Sequence, residues 1–392
     1  MDSTSPTISV VMAVFNGERF LQQAMESILD QTFANFELIV VDDGSTDHTP
    51  AILDSFTDQR IIRITNSKNI GQTRSLNLGL ANARGRYIAR HDADDISDPS
   101  RFAEQVSFME LQPAVGLLGT AYRIIDGSGR PLDTVYHPLE NHELQRRLEQ
   151  GNTFCHGSVL IRSGPLASVG GYNENFPVTQ DYDLWLRLAE RTEVANLANL
   201  LYMFRFDGAS ISRTRREQQL AYQGLARSLA FRRRAGEVEV AIPKDVLAAF
   251  PADRNRLYLE ARGYVYLYYA AGQLDKAATT IQHAIQMQSL QGNYEEEWQA
   301  WSLSQAIHLA DFRGNYADGE AFLKWLVQQL NKNRIGVKVK ILLGEYYVNR
   351  AFMAYQKHAS SQVRTCVLRA VSSDWRCLRN RGVWSIYLKS FR

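Results

Sequence analysis

The sequence predicts an α/β domain on a parallel sheet over residues 1–212, followed by an all-α domain over 213–392. Three observations carry that prediction. From Ile8 to Ala89, short β-rich apolar runs alternate with segments whose apolar residues recur at helical spacing. Acidic clusters stand directly after two of those runs, where open α/β sheets hold their ligands. The charge balance then reverses: residues 1–212 carry 17 Lys and Arg against 27 Asp and Glu, and residues 213–392 carry 27 against 15. Such asymmetry in a chain of 392 residues marks two modules with separate cores and different partners.

Ile8 to Val14 lacks clean alternation and so suits a central strand covered on both faces. Phe15-Asn16-Gly17 breaks it, and Phe20, Leu21, Ala24, Met25 and Ile28 then trace a helical stripe. Leu38 to Val41 is a second strand running into Asp42-Asp43-Gly44-Ser45, with a helix near Pro50 to Phe56. Ile61 to Ile64 and Gln72 to Ala83 repeat the pattern, and strand–helix–strand with short turns argues parallel pairing with right-handed crossovers. Arg86 to Ala89 is a short buried strand, and Asp98-Pro99 opens a helix with Pro99 at its first position. Val115 to Ala121 is another strand, Ile124 to Gly129 a hairpin turn and Glu140 to Glu149 a charged helix. Phe154 to Arg162 returns to the sheet, and Asn199 to Arg205 is the last strand.

The stretch Arg90-His91-Asp92-Ala93-Asp94-Asp95-Ile96-Ser97-Asp98 places four carboxylates within seven positions. Such a cluster is either a solvated turn or a site whose repulsion a hard divalent cation relieves. Asp42-Asp43 is a second acidic pair at a strand end, where nucleotide-binding folds place an acceptor for ribose or base. Neither G-x-G-x-x-G nor G-x-x-x-x-G-K-[ST] occurs, so no glycine cradle holds a phosphate. A metal on Asp-X-Asp is the substitute device. Hydrophobic content of 45% with 22% charged residues is that of an ordinary soluble protein, and no run of about 18 apolar residues is present to span a membrane. Met1 to Pro6 lacks a basic-then-apolar leader pattern. Cys155, Cys366 and Cys377 lack metal-ligand spacing, and a reducing cytosol is the expected compartment.

Ile8 to Asn16, Phe33 to Asp47 and Arg90 to Arg101, in that order, together resemble family-2 glycosyltransferases of the A-type fold, a Rossmann-like nucleotide-diphospho-sugar transferase domain. Gln180-Asp181-Tyr182-Asp183-Leu184-Trp185 is similar to the family's acceptor-side signature, and the resemblance spans about residues 7–212. It implies that Ala13, Phe15 and Asn16 form the first nucleotide-binding turn and that Asp43 reads the base edge, typically uracil. It further implies Arg74 beside base and phosphates, Asp92 with Ala93 at the ribose, Asp94 on Mg²⁺ or Mn²⁺, and Asp95 behind them. Asp181 becomes the general base of an inverting transfer from a UDP-sugar, where the helix dipole alone would explain an acidic first turn. The family's usual Glu before it is Gln180 here. Arg205 to Ser212 resembles the closing loop near the phosphates. His156 and Tyr172 are either packed residues or contacts to the sugar.

The implied reaction is sugar transfer to a hydroxyl of a glycan or lipid-linked acceptor in cell-surface polysaccharide assembly. The alternative is a catalytically weak sugar-nucleotide-binding scaffold acting through its helical half, yet Asp43, Asp94 and Asp181 are all present. A sugar nucleotidyltransferase would need a glycine-rich basic loop in place of Val14-Phe15-Asn16-Gly17, and a processive synthase a Gln-X-X-Arg-Trp motif; neither occurs. Beyond Ser212, Tyr264 to Ala278 resembles one tetratricopeptide helix hairpin, and Ala351 to Val371 is a looser echo, so a partly repeat-like helical domain is expected. Residues 331–392 hold 13 basic and 2 acidic residues, interleaved with Trp375, Trp384, Tyr387 and Phe391. This composition suits an anionic membrane surface that would bring the site to a lipid-linked acceptor, or else a solvated helix face or nucleic-acid-like patch.

Overall fold

The structure, a computed structural model, describes residues 5–206, 213–237, 242–251, 254–287, 294–333 and 335–391. The chain divides into two compact units, Met1–Ala252 and Asp253–Arg392. In the first, β1 (Ile8–Val14), α1 (Leu21–Leu29), β2 (Phe36–Asp42), α2 (Thr49–Ser55), β3 (Ile61–Thr65), α3 (Gln72–Ala81) and β4 (Tyr87–Arg90) alternate as the apolar pattern requires. There follow β5 (Ile96–Ser97), α4 (Arg101–Leu111), β6 (Val115–Ile125), β7 (Pro131–Val135), α5 (Asn141–Leu148), β8 (Leu160–Arg162) and α6 (Ser163–Ser168). Then come α7 (Gln180–Ala189), β9 (Glu193–Arg205), α8 (Arg213–Arg234) and α9 (Val246–Ala249).

Among the described residues the strands form one sheet in the order β3-β2-β1-β4-β8-β6-β9-β5, with β7 on β6. β1 pairs in parallel with both β2 and β4, and β3 extends the parallel half. β8 runs antiparallel to β4 and β6, which makes the sheet mixed. The registers Val14↔Asp42 and Val11↔Arg90 bring the carboxyl ends of β1, β2 and β4 to one edge. Chain connections leave β1 toward β2 on one side while β4 lies on the other, so this edge is the switch point at which such sheets bind ligands. β1 and β2 are buried almost throughout and hold the strand-centre Ser9 and Glu37 by pairing them, Ser9 Oγ donating to Glu37 Oε1 at 2.6 Å. Arg84 closes that network from the α3–β4 turn.

Several boundaries differ from the sequence reading. α4 begins at Arg101 and not Pro99, because Asp98 accepts from the Ser100 amide and hydroxyl and holds Asp98–Arg101 as a separate turn. β9 starts at Glu193, long enough to pair along all of β6, and the two-residue β5 had no apolar run to announce it. The composition changes at 212, whereas the boundary between compact units falls at 252. α8 accounts for the difference: Ala221, Leu225, Ala226, Leu229 and Ala230 form a helical stripe buried in the same cluster as Trp185 and Leu188 of α7. Its charges dominate its composition while its apolar stripe decides where it packs.

The second unit is all-α: α10 (Arg254–Ala270), α11 (Leu274–Met287), α12 (Tyr294–Arg313), α13 (Tyr316–Lys332), α14 (Val339–Gln356), α15 (Ser360–Ser373) and α16 (Arg381–Lys389). A 3-10 turn, Trp375–Arg379, precedes α16. α10 packs with α11, α12 with α13 and α14 with α15 around one core. The three hairpins turn alike, with left-handed residues at Gly272, Gly314 and His358. The next amide in each case, Gln273, Asn315 or Ala359, donates to the carbonyl five residues back, the hydrogen bond of a Schellman cap. The first hairpin was legible through Gly272. The middle one carried no recognised motif, and the last uses a histidine where glycine is the expected signal.

Candidate active site

Where β1, β2 and β4 end, the chain leaves a cleft of about 910 Å³. Ala13, Phe15 and Asn16 after β1, Asp43 after β2, Asp92, Ala93 and Asp94 after β4, and Asp181 of α7 all line it. His156 lines it too, and α8 adds Gln218 and Gln219, so the helix set apart by its composition forms part of the wall. Asn16, left-handed at φ 52°, accepts from the Thr46 amide through Oδ1 and so locks the first strand-end loop to the second. Asp43 is buried; Oδ1 accepts from Asn66 Nδ2 and the Ile70 amide, and Oδ2 from the Gly71 amide, each at 2.9 Å. Two carboxylate oxygens offer about four lone pairs. Asp43 therefore shapes the loop before α3 and keeps one acceptor position on Oδ2.

The acidic stretch separates into distinct environments. Asp92 accepts from the fully buried Arg90 guanidinium at 2.6 Å. Burial is the largest influence and would raise its pKa, but its neighbours, Arg90 first among them, together hold it below the ordinary carboxylate range. Asp94 faces the cleft and ion-pairs with no described side chain. Lost hydration in the concave floor, and then the charge on Asp92, push Asp94 up to about 6. Asp95 turns inward: Tyr202 Oη donates to Oδ2 at 2.8 Å and the Arg205 amide to Oδ1 at 2.7 Å. Burial, then Asp94 and Asp92, raise Asp95 well above the carboxylate range. Arg205 Nε also donates to the Asp94 carbonyl at 2.7 Å, so β9 braces the whole loop. Gly157 lets Tyr202 approach: a Cβ there would lie 1.8 Å from Tyr202 Oη and 2.9 Å from Asp92 Oδ2.

On the acceptor-signature side, Asp181 sits in the first turn of α7, half-buried. Burial is the main reason that its pKa rises to about 6, and an Asn152 Nδ2 hydrogen bond to Oδ2 at 2.7 Å opposes the rise. Its surroundings thus bring the carboxylate's change of protonation state close to neutral pH. Thr179, the residue before the helix, is left-handed at φ 63°, which a β-branched residue adopts only under strain. Its hydroxyl donates to the Gln219 carbonyl of α8 at 3.2 Å. Gln180 Nε2 donates to Gln72 Oε1 of α3 at 3.1 Å. His156 Nε2 lies 2.8 Å from Tyr172 Oη, and burial lowers His156 to about 3, so it is neutral in use.

Asn152 and Thr179 carried no signal in the sequence, since neither lies in a motif and each acts across a turn. Asn152→Ala should raise Asp181 further and move the acid limb of the transfer rate to higher pH. The KM for donor and the rate at pH 8 should stay near the parent's. A pH–rate profile of the two proteins checks this, and an unmoved limb would show that Asn152 has no hold on Asp181.

Arg74 is the site residue that the structure leaves outside this cleft. It is 61% exposed along its side chain and pairs with Glu174 at 3.3 Å. Among the described residues, the arginine that lines the cleft is instead Arg19. Residues 207–212, the greater part of the closing-loop segment, lie outside the described residues.

Residues 9–168 match the family model described as glycosyl transferase family 2. The chain is 36% identical over 221 residues to EpsE of Bacillus subtilis, a protein named as a glycosyltransferase, covering 54% of this chain and 77% of that protein. It is 32% identical over 213 residues to the amylovoran biosynthesis glycosyltransferase AmsE of Erwinia amylovora, covering 53% of this chain and 79% of that one. Among solved structures, residues 1–349 of S. aureus TarS in complex with UDP-GlcNAc align with a TM-score of 0.49 at 15% identity, covering 82% of this chain and 92% of that one. A cleft at the carboxyl ends of β1, β2 and β4, lined by Asp43, Asp92, Asp94 and Asp181, occurs in a chain with these relatives, and the chain belongs to glycosyltransferase family 2.

Proposed function

We propose that the first unit transfers a sugar from a UDP-sugar to a hydroxyl of a glycan or lipid-linked acceptor in polysaccharide biosynthesis, inverts the anomeric centre and uses a divalent cation. The observation that carries this reading is the presence in one cleft of a near-neutral carboxylate from α7 and two carboxylates after β4. The relationship to AmsE, an amylovoran biosynthesis enzyme by name, supports the polysaccharide setting. Asp94 suits Mg²⁺ or Mn²⁺, since such ions take hard oxygen ligands and use one or two carboxylates together with substrate phosphates. Among the described residues no group of three His, Cys, Asp or Glu converges on one point, so diphosphate and water would complete the shell. When bound, the cation offsets the charge that builds on the departing diphosphate.

The chain's own residues do the rest. Asp181 takes the proton from the acceptor hydroxyl as that oxygen forms a bond to the anomeric carbon. The bond from that carbon to the diphosphate oxygen breaks, and its electron pair leaves with UDP. Attack from the face opposite the leaving group inverts the centre. Asn152 holds one Asp181 oxygen and leaves the other to the acceptor.

The test is incubation with UDP-, GDP- and dTDP-sugars, with and without Mn²⁺, followed by NMR of the product's anomeric configuration. Turnover restricted to a UDP-sugar, lost on chelation and giving the opposite anomer, is the expected result. Turnover of a GDP- or dTDP-sugar alone would overturn the nucleotide assignment, full activity in chelator the cation, and a retained anomer the displacement mechanism.

A further inference from the structure

We infer that the second unit carries a membrane-docking face, built on α16 and the turn before it, whose partner is a bilayer surface containing anionic lipid. The inference concerns this unit alone and stands whatever donor or acceptor the first unit uses. Residues 331–392 hold 13 basic and 2 acidic residues, and the structure sorts them. Arg350 pairs with Asp311, Arg369 with Glu320 and Arg376 with Asp374. Arg381 and Lys389 are exposed and pair with no described carboxylate, and the exposed Arg379 acts on Asp374 only at longer range, without an ion pair.

The same stretch exposes large apolar groups at its end: Trp375 at 61%, Trp384 at 42%, Leu388 at 63% and Phe391 at 62%. α16 directs Val383 and Ile386 into the core, so Arg381, Trp384 and Leu388, spaced three and four residues apart, lie along its outer face. Trp384 contacts Tyr387 at 6.2 Å and Tyr387 contacts Phe391 at 5.2 Å between ring centroids. Guanidinium groups flank the rings, Arg379 at 5.2 Å from Trp375 and Arg364 at 5.0 Å from Phe391.

Charge decides among partners. The outer face of α16 has no acidic side chain, so a second copy of this face would meet like charge. Nucleic acid would be served by the basic groups, but it gives Trp384 and Leu388 nothing to enter. An anionic bilayer satisfies both: aromatic and aliphatic groups enter the interfacial layer while Arg and Lys meet lipid phosphates.

The test uses the full chain with vesicles of phosphatidylcholine alone or with phosphatidylglycerol added. Parent protein should co-sediment with the anionic vesicles only, and less as salt rises. Each basic group near the surface is worth roughly fivefold in partition, so R379Q/R381Q/K389Q should bind about 10²-fold more weakly. W384S/L388S should bind about tenfold more weakly or worse, with the melting temperature of each variant showing that it is folded. Equal recovery on neutral and anionic vesicles overturns the inference, as does parental binding by both variants. A dimer or a nucleic-acid complex that W384S/L388S abolishes, without vesicle binding by the parent, also overturns it.

Discussion

Asp181→Asn should bind UDP and Mn²⁺ as the parent does while its transfer rate falls by about 10² to 10⁴, the usual loss when a general base is removed. Asparagine keeps the size and shape of the side chain but takes no proton at neutral pH. The melting temperature supplies a second reading. A carboxylate whose folded pKa stands at about 6 against an ordinary 3.8 penalises the folded state once charged. That penalty is absent below the ordinary value, grows between the two and is complete above about pH 6, where a shift of this size corresponds to about 3 kcal/mol at most. The variant should therefore melt no lower than the parent at pH 7.5. If Asp181 merely favoured the start of α7 through the helix dipole, turnover of the variant would stay near normal. Parental transfer by a folded variant would sink the base assignment.

Asp94→Ala should abolish the Mn²⁺ dependence of UDP binding and remove most of the activity. The reasoning is local: Asp92 is committed to Arg90 and Asp95 to Tyr202 and Arg205, which leaves Asp94 as the carboxylate of the stretch that faces the cleft without an ion pair. Its elevated pKa follows from lost hydration and from Asp92, both of which a bound cation would relieve. Titration calorimetry with UDP, with and without Mn²⁺, is the measurement. An unchanged Mn²⁺ increment in the variant would place the cation elsewhere.

Much of this site was legible because it is written in strand ends. Apolar runs ending at Val14, Val41 and Ala89 locate the loops, and the acidic residues just beyond the second and third supply carboxylates that line the cleft. What the sequence could not supply is the partition among carboxylates. Asp92, Asp94 and Asp95 look alike in a string, and only Arg90, Tyr202 and Arg205 distinguish them. Tyr202 and Arg205 reach them across more than a hundred residues of chain. Arg74 shows the converse: a basic residue assigned to the site by resemblance pairs with Glu174 and is not among the residues that line the cleft. α8 was misplaced because its many arginines outweigh its apolar stripe in composition, whereas burial follows the stripe. The missed hairpin in the second unit and the His358 turn reflect the same limit, since a helix end is set by backbone conformation as well as by residue type.

The parallel registers that gather β1, β2 and β4 also bear on how the cleft comes into being. Parallel neighbours cannot be joined by a tight turn, so every such pairing closes a long loop before any contact offsets the lost entropy. Ala13, Asp43 and Asp92 meet only after two of these closures, and Asp181 joins from still farther along the chain. The helical unit is assembled from neighbours in sequence and can form piece by piece. A fragment ending after β4 would hold Ala13, Asp43 and Asp92 but lack the wall that Asp181 and α8 supply. Catalytic competence in this chain therefore waits on contacts that span nearly the whole of the first unit.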